Sequence, residues 1–229
     1  MMTLLLHGGA GPRSVAAFGT ALQQRHGVRV LTPTHPGFDG TDHPAELDST
    51  RALARHYRDL LDRLDLREVT VIGSSIGGWT AAELALLGTE RISRLVLVNA
   101  VGIEVEGAPV TDIFGLSMPE LAALSYHDPA PFAVEPNEQQ RAAMAANRVA
   151  LGRYAPSMTD PTLRERLRAV CVPTLVVWGE SDGIVTAEYG RAYAAAIPGA
   201  RFELVAGAGH LPQLERPEAM LDLLADWVS

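Results

Sequence analysis

The sequence predicts an α/β fold: a mostly parallel sheet of about six strands, helices on both faces, and a helical insertion before the fifth strand. Three observations carry this. Short apolar runs bounded by glycine alternate with helical patterns along the chain, as in successive βαβ units. The runs at 3–6, 28–33, 68–72, 94–99, 174–178 and 201–205 are rich in Leu, Val and Ile without polar alternation, which marks strands covered on both faces. The series then breaks once, because no strand-like run occurs between Gly102 and Val170.

The helices follow from spacing and caps. Ser49 is placed to cap a helix that carries Leu53, Tyr57, Leu60, Leu61 and Leu64 at intervals of three and four. Further helices are expected at 76–87, 187–197 and 217–228, and amphipathic patterns surround His26 and His56. Within the break, Ser117-Met118-Pro119-Glu120 is a capping box with a proline near the helix start. A second helix is expected at 137–154, and Asp160-Pro161 opens a third. An insertion of this size between two core strands predicts a lid rather than a second domain. The expected division is therefore 1–102 and 171–229 for the core and 103–170 for the lid.

Composition excludes several functions. The chain has 229 residues, 47% of them hydrophobic and 20% charged, which suits one folded domain and argues against disorder. Every one of its 19 basic residues is arginine. Without lysine there is no phosphate-gripping P-loop lysine, no Schiff-base or pyridoxal-phosphate lysine, and no kinase strand lysine. A net charge of −8 argues against nucleic acid or an anionic membrane surface as partner. The single cysteine, Cys171, can form neither an intrachain disulfide nor a cysteine metal cluster, and beside Val172-Pro173 it is expected to be an inert, partly buried thiol. No apolar run approaches the roughly 18 residues of a membrane span, and residues 1–6 lack the features of a secretion signal. These observations predict a cytoplasmic protein acting on a small molecule.

One motif then dominates. Gly73-Ser74-Ser75-Ile76-Gly77 reads Gly-x-Ser-x-Gly directly after a strand and at the start of a helix. A sharp strand-to-helix turn holds the central serine in a strained conformation, and glycines on either side remove the side chains that would collide. Ser75 is therefore the candidate nucleophile. A serine hydroxyl needs a base. Of the seven histidines, His210 lies in Gly207-Ala208-Gly209-His210, on a loop after the last strand at the carboxyl end of the sheet. Asp182, in Gly179-Glu180-Ser181-Asp182 after the fifth strand, is the candidate acid that would fix the imidazole tautomer. Glu180 is expected to point away, toward solvent or a backbone amide. His35, Asp39, Asp42 and His43 cluster on one loop but lack matched ligands elsewhere, so neither a metal nor any other cofactor is expected. Trp79, on the helix after Ser75, is read as packing.

These residues resemble the α/β-hydrolase fold family, from Leu4 to the C-terminus. The matching stretches are Leu4-Leu5-Leu6-His7-Gly8-Gly9, Pro36-Gly37-Phe38-Asp39-Gly40, the Ser75 turn, Gly179-Glu180-Ser181-Asp182 and Gly207-Ala208-Gly209-His210-Leu211-Pro212. The resemblance implies a serine hydrolase with Ser75, Asp182 and His210 as a triad and the amides of Gly9 and Ile76 as oxyanion donors. His7 then shapes its loop rather than acting as base. The family has two further strands at its N-terminus, so the strand at 28–33 becomes an edge. That edge leaves a monomer or a homodimer open. Asp39, Phe114 and Leu211 are candidate substrate contacts, and Leu116, Leu121, Leu124, Phe132 and Met144 suit an apolar roof.

A serine at the turn argues against the dehalogenases and epoxide hydrolases of this fold, which use aspartate there. The expected reaction is hydrolysis of a carboxylic ester or lactone. Carbon–carbon bond hydrolysis of ring-cleavage products is the alternative within the fold, although such enzymes tend to carry an aromatic residue where Leu211 stands. A small-ligand receptor without turnover is the alternative outside catalysis.

Overall fold

A computed structural model describes residues 2–228. Its sheet has six strands, β1 (Met2–Leu6), β2 (Arg29–Leu31), β3 (Val69–Ser74), β4 (Ile92–Val98), β5 (Thr174–Gly179) and β6 (Arg201–Val205). They lie in the order β2-β1-β3-β4-β5-β6, and every neighbouring pair is parallel. The helices are α1 (Arg13–His26), α2 (Thr50–Arg63), α3 (Ile76–Leu86), α4 (Met118–Ser125), α5 (Glu138–Tyr154), α6 (Leu163–Arg166), α7 (Ala187–Ala196), α8 (Pro212–Glu215) and α9 (Pro217–Val228).

The apolar strands acquire their reason from two cores. Successive side chains of a strand point to opposite faces, and here both faces are covered. Leu4, Leu6, Val71, Leu97 and Trp178 pack on one side against Leu53 and Tyr57 of α2, Leu84 of α3 and Tyr189 of α7. Leu5, Ile72, Val96 and Val177 pack on the other against Phe18 and Leu22 of α1 and Leu221 and Trp227 of α9. Polar side chains inside the sheet are few, and the buried Thr70 hydroxyl donates to the Trp227 carbonyl at 3.0 Å. The edge strand β6 departs from the expected unbroken apolar run: Arg201 and Glu203 alternate with Phe202 and Leu204, and only Val205 is buried.

The strands match the expected runs to within two residues at every end. The other edge strand differs most in length, as β2 covers three residues where six were expected. It has β1 alone as neighbour, and its ladder ends at Leu4↔Leu31, just before Pro33, which has no amide hydrogen to extend it. Cys171 also departs from expectation. It is exposed, on the loop before β5, and its Sγ contacts the Ala169 carbonyl at 3.4 Å.

Between β4 and β5 the chain forms α4, α5 and α6. Glu120 accepts from both the amide (2.9 Å) and the hydroxyl (2.6 Å) of Ser117 at the start of α4. At the start of α5 the bonds are reciprocal: the Asn137 amide donates to the Gln140 side-chain oxygen at 2.8 Å and the Gln140 amide to that of Asn137 at 2.9 Å. Ser49 caps α2 by accepting from the Ala52 amide at 3.2 Å. No helix among the described residues is long and apolar enough to cross a membrane.

Candidate active site

In an open parallel sheet the loops at the carboxyl ends of the strands meet where the strand order reverses. Here the chain leaves β1 to form the edge β2, then returns to place β3 on the other side of β1. The loops after β1 and β3 therefore flank one crevice, and those after β4, β5 and β6 follow in spatial order.

Ser75 stands at the turn from β3 to α3 with φ 55° and ψ −119°, a conformation that costs energy for any residue with a side chain. Its amide donates to the Val98 carbonyl at 2.9 Å, and its carbonyl accepts from the Trp79 amide at 3.1 Å. The flanking glycines are needed for space. A Cβ on Gly73 would lie 2.2 Å from the Gly77 carbonyl oxygen, and one on Gly77 would lie 2.4 Å from that of His7. Ile76 is the first residue of α3, so its amide has no partner within the helix and lies at the positive end of the helix dipole.

The loop after β1 comes against this turn. A Cβ on Gly8 would be 3.0 Å from the Ser75 Cβ. A chain of buried hydrogen bonds holds the loop in shape. The His35 amide donates to His7 Nε2 at 3.0 Å, so His7 carries its proton on Nδ1 and donates to the Gly8 carbonyl at 2.8 Å. His35 Nε2 donates to the His7 carbonyl at 2.9 Å, which leaves its Nδ1 to accept from the Tyr57 hydroxyl at 2.5 Å. Both rings are completely buried. Burial disfavours the charged form and pushes His7 down to about 4, against the pull of the Gly8 carbonyl; it lowers His35 too, helped by its neighbour His7. These two histidines are neutral supports. His43 turns elsewhere, donating to the Leu47 carbonyl at 2.7 Å. Among the described residues no group of three or more His, Cys, Asp or Glu side chains is placed to hold a metal ion.

The loops after β5 and β6 bring Asp182 and His210 together. His210 Nδ1 lies 2.7 Å from Asp182 Oδ2, and the Asp182 side chain is fully buried. With its proton on Nδ1, the imidazole keeps a lone pair on Nε2. The other carboxylate oxygen accepts from the amides of Ile184 (2.8 Å) and Val185 (3.1 Å). Glu180 turns to the Gly207 amide at 3.2 Å, as expected.

Helix α5 lies over the crevice. A Cβ on Gly9 would sit 2.9 Å from Leu151 Cδ2. Asn147 donates to the Ala10 carbonyl at 3.3 Å and accepts from the Asp39 amide at 2.7 Å, so it ties the helix to both loops. Ser75 and His210 are only 6% and 8% exposed. The end of α4 is joined to the opposite rim: the Ser125 carbonyl accepts from the His210 amide at 2.7 Å, and that of Leu124 from the Gly183 amide at 2.9 Å. Glu215 accepts from the amides of Gly209 (2.6 Å) and His127 (2.8 Å).

The candidate substrate contacts are spread out. Asp39 pairs with Arg13 at 3.6 Å, and Leu211, buried, follows His210. Phe114 lines a cavity of about 310 Å³ with Val110, Thr111 and Met158, whose walls are not formed by Ser75, Asp182 or His210. Asn99, Asn147 and Glu215 were not singled out from the sequence. The one available signal was Asn99, a polar residue ending an apolar strand.

The model of the alpha/beta hydrolase family matches residues 3–223. The chain belongs to this family. It is 27% identical to a 2-hydroxy-6-oxononadienedioate/2-hydroxy-6-oxononatrienedioate hydrolase of Paraburkholderia phymatum, over 99% of this chain and 86% of the relative. Among solved structures, Est816, described as an N-acyl homoserine lactone degrading enzyme, superposes with a TM-score of 0.78 at 25% identity, covering 100% of this chain and 93% of the other. An esterase from Exiguobacterium antarcticum shares the fold with a TM-score of 0.81 at 21% identity, over 100% and 91% of the two chains. This alpha/beta hydrolase is thus similar both to a hydrolase named for oxo-dienedioates and to a lactone-degrading enzyme.

Proposed function

We propose that this alpha/beta hydrolase cleaves a carboxylic ester or lactone of a small, largely apolar substrate through an acyl-enzyme on Ser75. One observation carries the reading. A serine on a strained turn stands beside the Gly8–Gly9 loop, while the loops after β5 and β6 supply an imidazole oriented by a buried carboxylate.

In this mechanism Ser75 Oγ attacks the carbonyl carbon as His210 Nε2 takes the hydroxyl proton. The carbonyl oxygen becomes an oxyanion held by the Gly9 and Ile76 amides, an arrangement worth several kcal/mol of barrier in such sites. Collapse of the intermediate expels the alkoxide, which receives the proton from His210. Water then attacks the acyl-enzyme, His210 again taking the proton, and the carboxylic acid leaves with Ser75 restored. Asp182 stays ionised throughout and stabilises the imidazolium. The segment 103–170 serves as the lid, with α5 as the part nearest the oxyanion loop.

The second reading, hydrolysis of a carbon–carbon bond in a ring-cleavage product, is favoured by the names of relatives such as the Paraburkholderia phymatum hydrolase. Leu211 after His210 favours the ester. The test is a panel of p-nitrophenyl esters and lactones of graded length beside 2-hydroxy-6-oxo-dienoates. Repeated turnover of esters or lactones, with kcat/KM well above that for any dienoate, is the expected result; the reverse order establishes the carbon–carbon reading.

A further inference from the structure

We propose that Asn99 is a positioning residue for the Asp182–His210 pair, fixing the plane of the Asp182 carboxylate and limiting the charge it presents to the imidazole. The inference rests on the reading of Asp182 and His210 as acid and base. Asn99 is fully buried and directly follows β4, the strand between those that carry Ser75 and Asp182. Its Nδ2 donates to Asp182 Oδ2 at 2.5 Å, the same oxygen that receives His210 Nδ1.

Each carboxylate oxygen therefore accepts two donors: Ile184 and Val185 amides on Oδ1, Asn99 and His210 on Oδ2. Four donors from three segments leave the carboxylate no freedom to rotate. Without Asn99 the Oδ2 side would be held by His210 alone, the partner that must change charge during the reaction. The amide also shares the negative charge on Oδ2, so the carboxylate pulls less strongly on the imidazole proton.

Asn99 has a second bond of a different kind. Its Oδ1 accepts from the Gly179 amide at 3.3 Å, which joins the ends of β4 and β5. Its backbone is left-handed, with φ 47°, a region that Asn and Gly tolerate. These features define two variants. Asn99→Asp keeps the shape and an oxygen for Gly179 but replaces the donor by an acceptor. Asn99→Gly keeps the backbone conformation and removes the side chain. Titratable groups on the surrounding loops include His127, bonded to the Ser181 hydroxyl, Glu180 on the Gly207 amide, Glu215 on the Gly209 amide, Tyr126, raised by burial and by Glu215, and Glu104 on the Thr159 hydroxyl.

The experiment uses the full chain and two readouts: the low-field proton resonance of His210 Nδ1–H, and the pH dependence of Ser75 labelling by a fluorophosphonate. In Asn99→Asp two carboxyls face each other at Asp182 Oδ2 and cannot both stay ionised, so the labelling profile should gain a second titration step that the wild type lacks. The Nδ1 resonance should move with it. In Asn99→Gly the plateau rate should fall roughly tenfold, with the resonance shifted or broadened. Wild-type labelling profile and wild-type resonance in both variants, with only the melting temperature lowered, would show that Asn99 merely joins two strand ends and would overturn the proposal. If wild-type Ser75 is not labelled at all, the hydrolase reading fails; the Nδ1 resonance in the variants still decides the role of Asn99.

Discussion

Replacing Asp182 by asparagine probes the site at its most constrained point. The two oxygens meet only donors, Ile184 and Val185 amides at 2.8 and 3.1 Å on one side, Asn99 Nδ2 and His210 Nδ1 at 2.5 and 2.7 Å on the other. A carboxylate can accept on both sides, whereas an amide accepts on one. Whichever way the substituted side chain is turned, its NH2 group faces two donors in a buried space, at a cost of about 1–3 kcal/mol for each donor left unpaired. Turned toward His210, the NH2 group drives the imidazole to the tautomer with its proton on Nε2, where the base must be empty. The acylation rate should fall on the order of 10³ to 10⁴, or about 4 to 5.5 kcal/mol of barrier. Glu104→Gln is the matched control, since Glu104 is exposed and its nearest polar partner is the Thr159 hydroxyl at 3.4 Å. It should stay within about tenfold of wild type. Single-turnover labelling of both variants by a fluorophosphonate measures the comparison. A larger loss in Glu104→Gln than in Asp182→Asn would refute the reasoning and move the acid to the loop after β4.

Two further outcomes concern the supports of the site. His7 is held neutral, lowered to about 4 by burial against an ordinary value of 6.5. Between these values the unfolded chain binds the extra proton, so stability is complete above pH 6.5 and declines as pH falls toward 4. His7 alone should remove about 2 kcal/mol of unfolding free energy between pH 7.5 and 5, with His35 acting in the same direction; denaturant titrations that give equal stability at both pH values would contradict the neutral pair. Gly73→Ala forces a Cβ to within 2.2 Å of the Gly77 carbonyl and should cost at least about 3 kcal/mol. Gly115→Ala, which meets nothing within 4 Å, should stay within about 0.5 kcal/mol in the same melting experiment, and equal effects would sink the steric account.

Much of this was legible because the information is local. The Ser75 turn, the Asp182 and His210 loops and the caps of α2 and α4 are short strings whose chemistry is fixed by neighbours in sequence. The double-sided core likewise shows itself in the central strands as largely apolar runs, whereas the edge strand β6 alternates. β3 was harder to end, since Gly73 and Ser74 are poor strand formers; they join the ladder because Gly73 lies between Leu6 and Leu97 and Ser74 pairs with Val98. The buried His35 looked like one member of a polar loop cluster, because its partners His7 and Tyr57 come from two other elements. Asn99 and Asn147 stayed hidden for a related reason. Asn99 meets Asp182 across 83 residues and Asn147 meets Ala10 across 137, contacts that exist only once the strand order and the seat of α5 are known.

The most direct test of the account is the site of covalent capture. Intact protein treated with a fluorophosphonate, then digested and sequenced by mass spectrometry, should carry a single adduct on Ser75. The adduct and all ester turnover should vanish in Ser75→Ala, while the melting temperature stays near that of the wild type. An adduct on the adjacent Ser74, or turnover that survives in Ser75→Ala, would contradict the central claim.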